Sequence, residues 1–262
     1  MDRLSDEERV ALERLTEALE DLGETFEEAV STYASLDPRG QELEGEARLD
    51  AQGLIERIAE RWRQAELTGA TDPRVADDPQ AQQILLLLGA FEDSLILALA
   101  GDPRHRHLVL SPDEAIERME ELAALSDLDE GFVQPRAAKA PKPAEALTRR
   151  LDVLDDLLNR AMGEASGFFL DLKRDGELDE HAARERMEEL AVCLRTFDVD
   201  GLAAAFAERL YVAPTLALLR TMLHAIVMRL SEDPDRRAQA IPLSELGGRI
   251  APVVEEWKAA GV

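Results

Sequence analysis

The stretch Ile84 to Ala100, ILLLLGAFEDSLILALA, constrains this chain more than any other, because it is apolar on nearly every side and carries only Glu92 and Asp93 as charges. A helix with apolar residues all round has no solvent face and has to be buried. A second stretch of the same kind, TLALLRTMLHAIVMRL, runs from Thr215 to Leu230. Each follows a proline by a few residues or fewer, and each closes on an Asp-Pro, at Asp102-Pro103 and Asp233-Pro234. Two such helices in similar punctuation argue for an internal duplication.

The rest of the chain supplies the helices that would cover them. Ser5 ahead of Asp6, Glu7 and Glu8 is an N-cap signal with an acidic first turn. Leu12, Leu15, Leu19, Leu22, Phe26, Ala29, Tyr33 and Leu36 then recur three and four apart, the spacing of a helix with one apolar seam. Asp37-Pro38-Arg39-Gly40 ends that helix. A second helix is expected from Gln41 to Leu67, with Ala47, Ala51, Leu54, Ile58 and Trp62 on its inner face. Asp78 and Pro79 mark the start of the central helix, and Ser111-Pro112-Asp113-Glu114 opens another that runs to about Leu125 with Ile116, Met119, Leu122 and Ala123 inward.

From Gly131 to Glu145 the chain holds three prolines and three basic residues with no helical period, and reads as a linker. The pattern then repeats. Leu147, Leu151, Leu154, Leu158, Ala161, Ala165, Phe168 and Leu172 reproduce the first seam, Asp175-Gly176 ends it, and Leu178 to Phe197 is the counterpart of the second helix. Asp198 to Arg209 is expected to be a short extra helix, and Pro242 to Ala260 a terminal one. A shift of 131 superposes the two Asp-Pro pairs, while 135 carries Leu12 onto Leu147 and Leu43 onto Leu178. The expected architecture is therefore all-α: an internally duplicated helical bundle of two units, about four helices each, related by a pseudo-twofold. The acidic N-terminal unit would be residues 1–130, the basic Pro-rich linker 131–145 and the C-terminal unit 146–262.

Composition bears on partners. The net charge is -25, and residues 1–134 hold 33 acids against 12 bases. A field of that sign repels phosphate backbones and anionic lipid, and steers a basic protein toward it. No direct nucleic-acid or membrane contact is expected. Cys193 is the single cysteine, so neither an internal disulfide nor a Cys-based zinc site can form. The N-terminus is charged from its second residue, with no apolar signal region, and the apolar run Ile84 to Ala100 falls short of the roughly 20 residues that span a bilayer. The expectation is a cytoplasmic protein.

Buried charges need partners. The shift of 131 sets Asp93 opposite His224, and places Arg220 and Arg229 where the first copy has Gly89 and Ala98. Glu92 or Asp93 is thus expected to pair with His224, Arg220 or Arg229. His105 and His107 are the nearest approach to a metal pair, but Arg104 and Arg106 are interleaved and would repel a cation, so no metal and no cofactor is expected. No catalytic motif stands out. The sequence points to a non-enzymatic protein–protein interaction module, an adaptor, scaffold or subunit of a larger assembly, of unspecified oligomeric state. Two alternatives stand beside it: a ligand-binding or enzymatic bundle with a polar site between the halves, and an acidic inhibitor that imitates nucleic acid.

Overall fold

A computed structural model describes residues 6–71, 79–118, 145–199 and 211–260, and every regular element among them is helical. The chain divides into two compact units, Met1–Gly131 and Phe132–Val262. The linker expected at 131–145 lies, up to residue 144, outside the described residues, as do Met119, Leu122, Ala123 and most of the extra helix expected after Asp198.

In the first unit α1 (Asp6–Leu36), α2 (Gly45–Thr71) and α3 (Pro79–Ala100) pack pairwise against one another. A 3-10 turn at Arg106–Leu108 packs on α3, and α4 covers residues 112–118. The seam of α1 is buried at Leu22, Ala29, Tyr33 and Leu36. That helix ends where Asp37 takes a φ of 41°, a left-handed conformation that aspartate tolerates better than most residues. Its side chain accepts from Gly40 N–H at 3.2 Å, so the turn continues to Gly45 and α2 starts four residues later than Gln41. Leu43 is buried in that turn.

The central helix α3 is longer than its apolar run, beginning at Pro79, and it is buried continuously from Leu87 to Leu97. Each fully buried leucine or phenylalanine there is worth about 1.5–3 kcal/mol of transfer free energy. By length and composition Ala81–Ala100, like Val212–Leu230 in the second unit, reaches the size of a membrane span, which corrects the shorter reading from sequence. In each case 67% of the stretch is packed inside the protein, which is what a core helix requires.

The second unit has the same triangle: α5 (Glu145–Asp175), α6 (Glu180–Val199) and α7 (Val212–Leu230) pack pairwise. Two further helices follow, α8 (Pro234–Gln239) and α9 (Leu243–Ala260), both against α7. Asp233 caps α8 by accepting from Asp235 N–H at 2.9 Å, with Pro234 in the first turn. From the sequence Asp233-Pro234 reads only as the end of the central helix; the pair also begins α8. Pro214 sits in the first turn of α7, where a missing N–H costs nothing. Trp257 on α9 donates to Thr215 Oγ1 at 2.7 Å and packs against Tyr211, whose hydroxyl meets Asp155 at 3.0 Å. These contacts tie α9 and the start of α7 to α5.

Two inward assignments change. On α5 it is Phe169 that is buried, with Phe168 partly exposed and edge-on to it at 5.3 Å. On α4 Ala115 is buried and Ile116 is 47% exposed. Glu114 fixes that helix's rotation: its carboxylate accepts from Ser111 N–H at 2.7 Å, Ser111 Oγ accepts from Glu114 N–H at 3.2 Å, and Arg39 reaches the same carboxylate at 2.9 Å.

Candidate functional site

Several polar residues of the two central helices are buried. Glu92, Asp93 and Ser94 on α3 are 0%, 1% and 0% exposed, and His224 on α7 is 5% exposed. Consecutive burial follows from the helix itself, because positions 92, 93 and 94 are spaced by about 100° each and all three faces are covered. Ser94 Oγ accepts from Leu110 N–H at 3.0 Å, and Leu110 C=O accepts from Tyr33 O–H at 2.6 Å. One residue of the returning loop is thereby held by α3 and α1 at once. Tyr33 also stacks at a tilt on Phe91, with centroids 4.8 Å apart.

Arg220 is partly exposed, and Arg229 is half-buried at the end of α7. Arg229 directs its donors to backbone carbonyls, Ile241 O at 2.9 Å and Ala225 O at 3.5 Å, and burial lowers its pKa. It therefore stitches the segment before α9 to α7, an arginine near a helix C-terminus meeting carbonyl oxygens. Glu92 and Asp93 belong to the first unit and Arg220, His224 and Arg229 to the second.

Sequence reasoning missed a pair of buried arginines. Arg63 on α2 is 9% exposed and pairs with Glu66 at 3.4 Å; Arg195 on α6 is 2% exposed and pairs with Asp198. Both are Arg-x-x-acid on the second helix of their unit, 132 residues apart. Comparing the two second helices at that shift finds them, whereas the periodicity of apolar residues passes over them.

The His105 and His107 loop is ordered by its own side chains. Arg104 clasps both oxygens of Asp102, whose carboxylate also accepts from Arg104 N–H at 2.8 Å, and this hydrogen bonding from Arg104 holds the Asp102 pKa at about 2. His105 Nδ1 lies 3.9 Å from the same carboxylate, and His107 Nδ1 meets Arg104 O at 2.9 Å. A carboxylate committed to the Arg104 guanidinium offers little to a cation.

On the outer face of α1, Glu17, Glu20, Asp21, Glu24, Glu27 and Glu28 are all exposed. At 100° per residue they share an arc of about 120° and run for about 16 Å along the helix. Arg61 pairs with Asp21 at 2.8 Å and Arg57 with Glu28 at 3.1 Å on the side next to α2, leaving the other four as the crest. In the second unit Glu164 and Glu189 share Arg186. Burial, only partly offset by that guanidinium, raises the Glu189 pKa, and Glu164 raises it further.

Comparison with protein-family models, with curated proteins and with solved structures finds no match to this chain.

Proposed function

We propose that this chain is a cytoplasmic, internally duplicated helical interaction module, an adaptor, scaffold or assembly subunit without an enzymatic reaction of its own, whose first unit receives a basic protein. Three correspondences support the duplication. At a shift of 136 the buried Leu22, Ala29, Tyr33 and Leu36 fall on the buried Leu158, Ala165, Phe169 and Leu172, a better register than 135. A shift of 132 carries Arg63 and Glu66 onto Arg195 and Asp198, and 131 carries the buried run Ala90 to Leu97 of α3 onto the buried run Thr221 to Met228 of α7. Units that share a packing triangle and a buried arginine on the same helix are explained most simply by descent from one ancestral unit.

The observation that carries the binding role is the acidic crest of α1. Like charges at i, i+4, such as Glu20 and Glu24, each cost an isolated helix about 0.2–0.5 kcal/mol. A crest of them is a local expense that a cationic partner would relieve. The nucleic-acid-mimic reading needs acids confined to one ridge; exposed Glu42, Glu44, Glu46, Asp50, Asp113 and Glu117 lie on other segments, so the basic-protein reading is preferred.

The test is capture of the full chain with its partner from the source organism, in parallel with the variant Glu20→Lys/Glu24→Lys/Glu27→Lys. The expected result is a stoichiometric basic protein whose affinity falls about tenfold or more in the variant and with added salt. Equal retention by both forms, or the lack of any stoichiometric partner, overturns the proposal. Displacement of that partner by DNA would instead favour mimicry.

A further inference from the structure

We propose that Arg106, Arg39 and His107 form an anion site on the first unit that takes a single phosphate dianion. The backbone there is fixed. Gly101, at a φ of 70°, ends α3, and Asp102 then holds Arg104. His105 N–H bonds to Asp102 O at 3.0 Å, Leu108 N–H bonds to His105 O at 2.9 Å, and the loop is anchored below by the buried Leu108, Val109 and Leu110. Its basic side chains thus project from a pinned turn.

Arg106 Nε donates to Arg39 O at 3.0 Å, which carries its guanidinium to the turn after α1, beside Arg39. Arg106 is exposed, and both of its terminal nitrogens remain without an acceptor among the described residues. Arg39 gives Nη1 to Glu114 and keeps its other donors. His107 is exposed and turns Nδ1 to Arg104 O, so Nε2 is left outward. Glu114 is the neighbouring carboxylate. Burial would raise its pKa, but hydrogen bonds from Ser111 and the charge of Arg39 bring it below the ordinary value, so it stays committed to those groups.

The second unit marks what is unusual. Arg237, 131 residues after Arg106, gives Nη1 to Ser231 O at 2.7 Å and Glu232 O at 2.9 Å, the carbonyls at the end of α7. That is the ordinary use of an arginine at a helix C-terminus. Arg106 meets a carbonyl with Nε alone and holds the fork outward. Two guanidinium forks and an imidazole suit a doubly charged, tetrahedral oxyanion better than a lone carboxylate. Exposed Asp113 and Glu117 nearby on α4 would repel an extended polyanion, so the ligand is one phosphate group, free or carried on a peptide.

The experiment is an NMR titration of the labelled full chain with inorganic phosphate, against sodium chloride at matched ionic strength, following the His107 ring and the arginine Nε–H signals. Saturable shifts at His107 and Arg106 with phosphate alone are expected. Arg39→Ala/Arg106→Ala should abolish saturation, Arg106→Lys should weaken it about tenfold because the fork is lost, and Arg236→Ala/Arg237→Ala should leave it intact. A phosphoserine peptide and its unphosphorylated form then separate the two sources: tighter saturation by the phosphopeptide assigns a carried phosphate, and parity with inorganic phosphate assigns a free one. Shifts that chloride reproduces, or saturation that survives in a folded Arg39→Ala/Arg106→Ala variant, overturn the site; unchanged circular dichroism establishes that folding.

Discussion

Replacing Tyr33 by phenylalanine removes one oxygen from the first unit and leaves the ring that packs on Phe91. Tyr33 is 0% exposed, and its hydroxyl donates to Leu110 O at 2.6 Å, so the variant leaves a buried carbonyl without that donor. A neutral hydrogen bond contributes about 1 kcal/mol net, and an unsatisfied buried acceptor costs about 1–3 kcal/mol, which puts the loss at about 1–2.5 kcal/mol. With a urea m-value of about 1.5–2 kcal/mol/M for a unit of this size, the midpoint should fall by about 0.5–1.5 M. The two tryptophans make the reading local, since Trp62 lies in the first unit and Trp257 in the second. Unfolding is followed by Trp62 fluorescence in a Trp257→Phe background. Ser94→Ala removes the acceptor for the other side of Leu110, and the two substitutions together should be non-additive by about 0.5 kcal/mol or more, because both act on one residue's position. A midpoint shift under 0.2 M, or strict additivity of the pair, would refute the idea that Leu110 is the latch between α1 and α3.

Leu88→Ala and Leu219→Ala remove fully buried leucines 131 residues apart on α3 and α7, and each should cost about 2.7–5 kcal/mol, read by Trp62 and Trp257 fluorescence respectively. Losses differing by more than about 3 kcal/mol would count against equivalent central helices. Asp102 and Glu114 both have lowered pKa values in the folded protein, so the unfolded chain binds more protons at acid pH, and their contribution is present above pH 4.5 and lost as pH falls toward about 2. Urea midpoints measured from pH 2.5 to 6 should therefore rise less steeply in Asp102→Asn than in the parent chain; parallel slopes would show that the Arg104 clasp contributes nothing to acid stability.

The identity of the helices was written in local chemistry that tertiary contacts did not alter. The capping residue Ser111, the proline that opens α3, the breaks at Asp37-Pro38 and Asp175-Gly176, and two runs too apolar to face water all act within a few residues of chain, and they determined an all-helical protein built around α3 and α7. Which neighbour on a helix turns inward was decided by packing. Phe168 and Phe169, or Ala115 and Ile116, differ by about 100° of rotation, and an apolar stripe accommodates either until a partner helix or a cap such as Glu114 sets the angle. The buried arginines were hidden for a related reason: Arg63 and Arg195 read as solvent charges in a periodicity scan, and only the packed helices show their stems inside with Glu66 and Asp198 at hand. The outward fork of Arg106 likewise depends on Arg39, 67 residues earlier, whose carbonyl comes within reach only when the turn after α1 meets the turn after α3.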